Sequence, residues 1–218
     1  MELWPPGDME PNGITLYKNL LEETFAWKEK AAGRLKGLIH CAKGCSHCCN
    51  GLFYITSLDL MLLLEGWKRL LPETQEGVLE RSRSIKEKMK QFFGINSFNQ
   101  LDDHREDIFY NKFKDIPCPF LNLEQGACMA YPYRTYICRL QGLPFYNGKQ
   151  WDNDPCCDFN ISLLPLEKDP ANRGLFFFDE SIYFEKEKAL FHELGLDDKA
   201  DTYYVIPDIV DFLPVLPS

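Results

Sequence analysis

The sequence predicts a mainly α chain, a small single domain of helices joined to a loop-rich lobe held by cysteine-bound metal. Two observations carry that prediction. Five segments read as helices, from apolar positions at three- and four-residue steps or from helix start and stop signals. Between about Asp115 and Asn160 those signals disappear, and turns, Pro, Gly, aromatics and five cysteines replace them. With 218 residues and 45% hydrophobic content the chain can bury one sizeable core.

Residues 1–12 are rich in Pro and Gly and read as an irregular lead-in, followed by one domain over residues 13–202. From Ile14, the apolar positions Tyr17, Leu21 and Phe25 recur at helical steps, with Glu22, Glu23, Lys28 and Lys30 off that line. This predicts an amphipathic helix to about Gly33. Thr56, Ser57 and Asp59 offer caps and an early acid before Leu60, Leu62, Leu63 and Leu64, so a second helix is expected to start there and stop before Pro72. It is apolar nearly all round, the pattern of a core helix. A third follows Thr74, with Val78, Ile85, Met89 and Phe92 on one face and Gly94 as its stop. Further helices are expected over Asp102 to Phe113 and Ser181 to Leu194, and residues 203–218 read as a Pro-containing C-terminal tail.

Charge and patterning narrow the function classes. The formal charge of −9 repels a phosphate backbone, so nucleic acid is not expected as a partner. The longest apolar run, Leu60 to Leu64, falls far short of the roughly 20 residues that cross a bilayer. No membrane association is expected from it. The N-terminus has neither a basic stretch nor an apolar core of the kind a secretory signal carries, and a cytoplasmic location is the expectation.

Nine cysteines dominate the chemistry. The odd count, the size of the chain and the absence of an export signal argue against a disulfide framework. Thiols used only for packing scatter along a chain. Here Cys41, Cys45, Cys48 and Cys49 fall within nine residues, and Cys118, Cys128, Cys138 and the pair Cys156 and Cys157 follow. Short spacings let a turn aim successive sulfurs at one point, with Gly44 easing the turn, which suits tetrahedral zinc or the irons of a cluster. His47 sits inside the first group as a less favoured ligand, and His40 is less favoured still.

The arrangement C-x3-C-x2-C-C resembles the YkgJ-type cysteine-cluster family. Cys118-Pro119-Phe120-Leu121, Gly126-Ala127-Cys128, Tyr131-Pro132-Tyr133-Arg134 and Cys138-Arg139 add to that likeness. The family signature is written CxxCxxCC, its members are described as zinc- or iron-chelating, and the likeness covers about residues 40–160. It implies eight recurrent cysteines, here Cys41, Cys45, Cys48, Cys49, Cys118, Cys128, Cys138 and one of Cys156 or Cys157. Some relatives resemble flagellin lysine methylases, which implies a link to methyl transfer. The chain departs from the pattern at Arg134, which is followed by Thr135 where Arg-Pro is expected. A changed turn before Cys138 is the expectation.

Eight thiolates suffice for two zinc sites of four cysteines each, or for a [4Fe–4S] cluster with thiols to spare. Three observations favour the iron–sulfur cluster, with zinc as the alternative. Cys41, Cys45 and Cys48 repeat the C-x3-C-x2-C spacing that leaves a fourth iron open to S-adenosylmethionine, although the mostly helical pattern after Cys49 does not match the fold of those radical enzymes. Adjacent cysteines diverge from the backbone and reach different metal atoms more readily than one. The lobe also carries Phe120, Tyr131, Tyr133, Tyr136, Phe145, Tyr146 and Trp151, aromatics suited to shielding a cluster or to ordinary packing. Arg134 and Arg139 flank Cys138 and are the candidate cofactor-binding charges, solvent-exposed arginines being the plain alternative.

Two functions follow. One is an iron–sulfur protein used in redox or methyl-transfer chemistry. The other is a non-catalytic zinc module that recognises a partner, with metal-delivery or redox-sensing roles beside it. The partner, a protein or a small molecule, is unidentified from sequence, and no nucleotide loop, Ser-His-Asp set or paired-carboxylate motif names a substrate.

Overall fold

Helix α2 (Ser57–Trp67) is the element around which the others assemble, and its composition explains why. Every residue in it except Glu65 is buried, so it has no solvent face to offer. Leu58 and Leu62 pack into one apolar cluster and Leu60, Leu63 and Leu64 into another. Its start is fixed locally, because the Thr56 hydroxyl accepts the Asp59 N–H at 3.3 Å. The computed structural model describes residues 11–34, 44–141, 145–146, 151–152 and 178–213, and every structural statement below concerns those residues.

Helix α1 (Pro11–Arg34) begins slightly earlier than the sequence signals and presents Tyr17, Leu21, Thr24 and Ala31 to the core. Phe25, expected on that face, is only half-buried. Helix α3 (Pro72–Phe93) also starts earlier than expected, because proline at the first helical position has its φ set and needs no hydrogen-bond partner. It stops where predicted, with Gly94 at φ 71° donating its N–H to Lys90 O. Val78, Ile85 and Met89 are buried as their spacing implies, but Phe92 is 49% exposed and lies under the Lys112 ammonium instead. Residues Asp103–Arg105 form a single 3-10 turn, so α4 (Glu106–Phe113) is shorter than the stretch expected to be helical.

The sheets are small. Strand β1 (Tyr54–Thr56) pairs antiparallel with a strand near the C-terminus, here called β7 (Tyr203–Val205), and β2 (Leu121–Asn122) pairs antiparallel with β3 (Ala127–Cys128). The strands β4 (Phe145–Tyr146), β5 (Trp151–Asp152) and β6 (Phe178–Asp179) form a third sheet in the order β5-β4-β6. Helix α5 (Tyr136–Leu140) carries Cys138, and α6 (Glu180–Glu193) lies against α1 and α5, with Tyr183, Leu190 and Phe191 in the same cluster as Tyr17 and Leu140. The architecture is therefore mainly α.

Residues 203–213, within the segment that reads as a tail, are integrated into this frame. After β7, a 3-10 segment (Ile206–Phe212) packs along α3, burying Ile206 and Ile209. Its Asp208 carboxylate is fully buried, accepting from Lys86 Nζ at 2.8 Å and from the Val205 N–H at 2.9 Å, and Lys86 also pairs with Asp211. Periodicity did not reveal this docking, because two short elements and a paired buried charge produce no repeat long enough to detect. No helix among the described residues is long and apolar enough to cross a membrane.

Candidate metal centre

Three chain segments bring cysteines together, and backbone bonds fix how they meet. Cys48 and Cys49 lie on a 3-10 turn (His47–Cys49) that closes with the Cys49 N–H donating to Ser46 O. Cys49 O then accepts the Cys118 N–H at 2.7 Å, while Gly51 N–H donates to Ile116 O and Asn50 bridges to Pro117. This short ladder sets the first cysteine loop against the start of the second. In the β2–β3 hairpin Leu121 is paired with Cys128, so Cys128 lies opposite the strand that begins three residues after Cys118. Cys138 arrives on α5.

The electrostatics show the convergence. Burial pushes the Cys118 thiol far up, and the charges of Cys138 and Cys128 push it further. Burial likewise pushes Cys138 up to about 12, with Cys128, Asp59 and Cys48 adding to the rise. Cys48 is raised chiefly by its hydrogen bond with Cys49, then by burial. Four thiols from three segments thus share one field. Each is protonated near neutral pH in the absence of a cation, and a metal ion or cluster supplies the positive charge that makes the thiolates stable.

The surroundings are those of thiolates. The Phe120 N–H donates to the Cys118 sulfur and the Ala130 N–H to the Cys128 sulfur, each from two residues further along the chain, and both favour the ionised form. The Thr135 hydroxyl is wholly buried with no strict hydrogen-bond partner among the described residues, yet it lies close enough to Cys138 to favour its thiolate. Cationic groups stand around the lobe, with Arg134 acting on Cys128, Arg81 on Cys118 and Lys28 on Cys48. The donor set therefore suits a thiophilic metal. Among the described residues, no three Cys, His, Asp or Glu side chains are yet grouped tightly enough to close around one ion.

The residues singled out from sequence divide as follows. Cys48, Cys49, Cys118, Cys128 and Cys138 are partly buried and meet as described, while Cys45 and His47 are exposed on the same loop. Cys41, Cys156, Cys157 and His40 lie outside the described residues. Arg134 stacks on Tyr131 at 3.7 Å and acts on a thiol. Arg139 is buried, and its guanidinium donates to Arg134 O at 3.0 Å and Pro132 O at 2.9 Å, locking the turn that precedes α5. Of the aromatics, Phe120 and Tyr136 are buried, Tyr133 is half-buried and Tyr131 is 48% exposed. The side chains of Phe145, Tyr146 and Trp151 are outside the described set.

The departure at Thr135 does not change the turn. Thr135 has φ −62°, the value a proline would impose, and Arg134 before it has the extended ψ of 142° that precedes prolines. What the substitution adds is a hydroxyl beside Cys138.

Sequence reasoning missed Lys28 and Arg81. Lys28 falls at the four-residue step after Thr24, on the buried face of α1, and its Nζ donates to Arg139 O at 2.6 Å and Gln141 O at 3.2 Å. Its position after Tyr17, Leu21 and Thr24 was the available signal. Arg81 reaches from α3 to Pro119 O through two nitrogens, at 3.0 and 2.6 Å, and nothing in its helical context marks it.

Gly44 and Gly126 hold the first loop against the hairpin. Both have positive φ, 92° and 60°, and a Cβ on Gly126 would stand 2.6 Å from Gly44 O. Gly126→Ala is expected to destabilise the fold by about 1–3 kcal/mol, from left-handed strain and this clash together. Thermal melting checks this, and metal content of the variant should fall with it.

Comparison with known proteins agrees with this chemistry. Neither a curated protein nor a solved structure matches the chain significantly. A family described as "CxxCxxCC: Putative zinc- or iron-chelating domain" matches residues 40–157, the span that holds all nine cysteines. The convergent thiols and that match, which covers more than half of the sequence, make this chain a metal-binding member of the CxxCxxCC family.

Proposed function

We propose that this chain holds an iron–sulfur cluster through Cys48, Cys118, Cys128 and Cys138, completed from the remaining cysteines of the family set. The observation that carries the reading is the shared field of thiols from three segments, with backbone N–H groups aimed at two of the sulfurs. Hydrogen bonds to cluster sulfurs set potential and stability, and when bound the cluster supplies one-electron chemistry or an open iron. Neighbouring thiols at Cys48 and Cys49 support a centre with more than one metal atom. Phe120 and Leu121, both buried beside Cys118, keep water from one side. Arg134, Arg81 and Lys28 balance the negative excess that four thiolates leave.

Zinc is the second reading, since the family description names it beside iron and the donor set serves tetrathiolate zinc sites equally well. Under it, metal ties the first cysteine loop to the hairpin and α5, and the helical body serves a partner.

Purification without oxygen, followed by metal and acid-labile sulfide analysis, tests both. The expected result is a brown protein absorbing broadly near about 400 nm, with iron and sulfide in equal amounts. Colourless protein with tightly held zinc establishes the second reading, and protein with neither overturns both. Redox or methyl-transfer use of the centre predicts that S-adenosylmethionine perturbs the spectrum of the reduced cluster. An unchanged spectrum would remove the open-iron version.

A further inference from the structure

The sulfur of Cys138 sits in a different backbone setting from those of Cys118 and Cys128. Each of the latter leads into a turn, where the N–H two residues further on can fold back to the sulfur. Cys138 is on α5, where N–H groups are committed to carbonyls four residues back, as Arg139 N–H is to Thr135 O at 3.2 Å and Gln141 N–H to Ile137 O at 3.0 Å. A donor for this sulfur has to come from a side chain.

Thr135 supplies one. It is 0% exposed, and its hydroxyl has no strict hydrogen-bond partner among the described residues. A threonine directly before a helix ordinarily spends its side-chain oxygen on the N–H groups of the first turn, and here it does not. The Asp59 carboxylate has taken the Tyr136 N–H at 2.8 Å instead. Thr135 precedes Cys138 by three residues, the spacing that brings side chains together at a helix start, and its hydroxyl is near enough to the sulfur to act on it. A buried hydroxyl that caps nothing and stands beside a thiol is costly for the fold alone and useful once that thiol is ionised.

We infer that the Thr135 hydroxyl donates a hydrogen bond to the metal-bound Cys138 thiolate and thereby withdraws electron density from the bond between this sulfur and the metal. Thr135 is then a positioning residue, which acts through Cys138 and is not itself a ligand. The inference rests on the reading of Cys138 as a ligand and holds for either metal.

On a cluster, an O–H aimed at a ligand sulfur stabilises the reduced state more than the oxidised one, because the added electron leaves more negative charge on the sulfurs. The hydroxyl therefore raises the reduction potential. Burial strengthens the effect, since the low local dielectric around a wholly enclosed group leaves its dipole unscreened. At a zinc site the same bond lowers the energy of the thiolate lone pairs. Charge transfer from that sulfur to a metal that replaces zinc then requires more energy.

Potentiometric titration of the loaded full chain tests the inference in iron–sulfur protein, and in zinc protein the readout is the sulfur-to-metal charge-transfer band after exchange for cobalt(II). Thr135→Val keeps the shape of the side chain and removes the hydroxyl. It is expected to shift the ratio of reduced to oxidised centre at a fixed potential by about threefold or more toward the oxidised form, which a one-electron couple reads as a fall of about 28 mV or more. In the cobalt form its band is expected at longer wavelength. Thr135→Ser keeps the hydroxyl and should hold both readouts near the parent's values, which a purely packing role of the methyl group would not do. Should Thr135→Val fail to fold, Thr135→Pro, which suits the φ of −62° and the extended Arg134 before it, is a second variant without a hydroxyl and should show the same shift. Folded Thr135→Val or Thr135→Pro with the parent's potential and band, or equal shifts in Thr135→Val and Thr135→Ser, would overturn the inference alone. Folded Cys138→Ser that keeps the parent's potential and band would overturn the ligand reading beneath it.

Discussion

Stripping the metal from reduced, purified protein lowers its melting temperature by more than about 10 °C. The reasoning starts from what holds the cysteine lobe. Residues 44–53 and 115–135 meet through a few backbone bonds, and the apolar anchors there are Leu52, Phe120, Leu121 and Ala130. Without a cation the thiols are neutral and poorly solvated. Structural metals in small thiolate sites contribute about 10 kcal/mol or more, and a chain of this size moves roughly 2–4 °C per kcal/mol. Even half of that contribution exceeds the stated shift. Calorimetry before and after chelation under reductant measures it, and Cys138→Ser should reproduce most of the loss, because α5 brings that sulfur from a separate segment. An identical transition in metal-loaded and metal-free protein would end the structural role assigned to the thiols.

The helical frame was legible because its signals are local. Thr56 and Asp59 announced the start of α2, Gly94 the end of α3, and the all-apolar composition of α2 its central place. The cysteines were equally legible as a metal-binding set, since four within nine residues have few other uses. What remained hidden depends on tertiary approach. Lys28 looked like a solvated charge, and only the path of α5 turns it toward the Arg139 and Gln141 carbonyls. Asp208 looked like part of a polar tail until Lys86 from α3 paired with it. The Thr135 departure looked disruptive, because a change of residue type says nothing about whether φ has changed with it.

Asp59→Ala is expected to destabilise the fold by about 3 kcal/mol or more and to reduce bound metal, although Asp59 is not a candidate ligand. Its Oδ1 accepts from Tyr17 OH at 2.7 Å and from the Tyr136 N–H at 2.8 Å. The second bond matters most for the site. Thr135, at the N-terminal end of α5, makes no side-chain cap, so the carboxylate from α2 satisfies the first N–H of the helix that carries Cys138. Alanine leaves that donor buried without a partner, and Tyr17 loses its 2.7 Å bond while keeping its 3.0 Å contact with Tyr183. Asp59→Asn keeps an acceptor and should cost far less, which separates loss of the bond from loss of the charge. Equilibrium denaturation with metal analysis reads both variants. A pH series adds a signed test, because Glu187 is held up to about 8 from an ordinary value of 4.5, first by burial and then by Asp59. Between those values the folded chain keeps a proton that the unfolded chain has released. The contribution of Glu187 to stability therefore falls as pH rises through that window. Removing the Asp59 charge brings the upper end of the window down, so in Asp59→Asn the decline should finish at a lower pH than in the parent chain. A decline ending at the same pH in both proteins would mean that Asp59 exerts no field on Glu187.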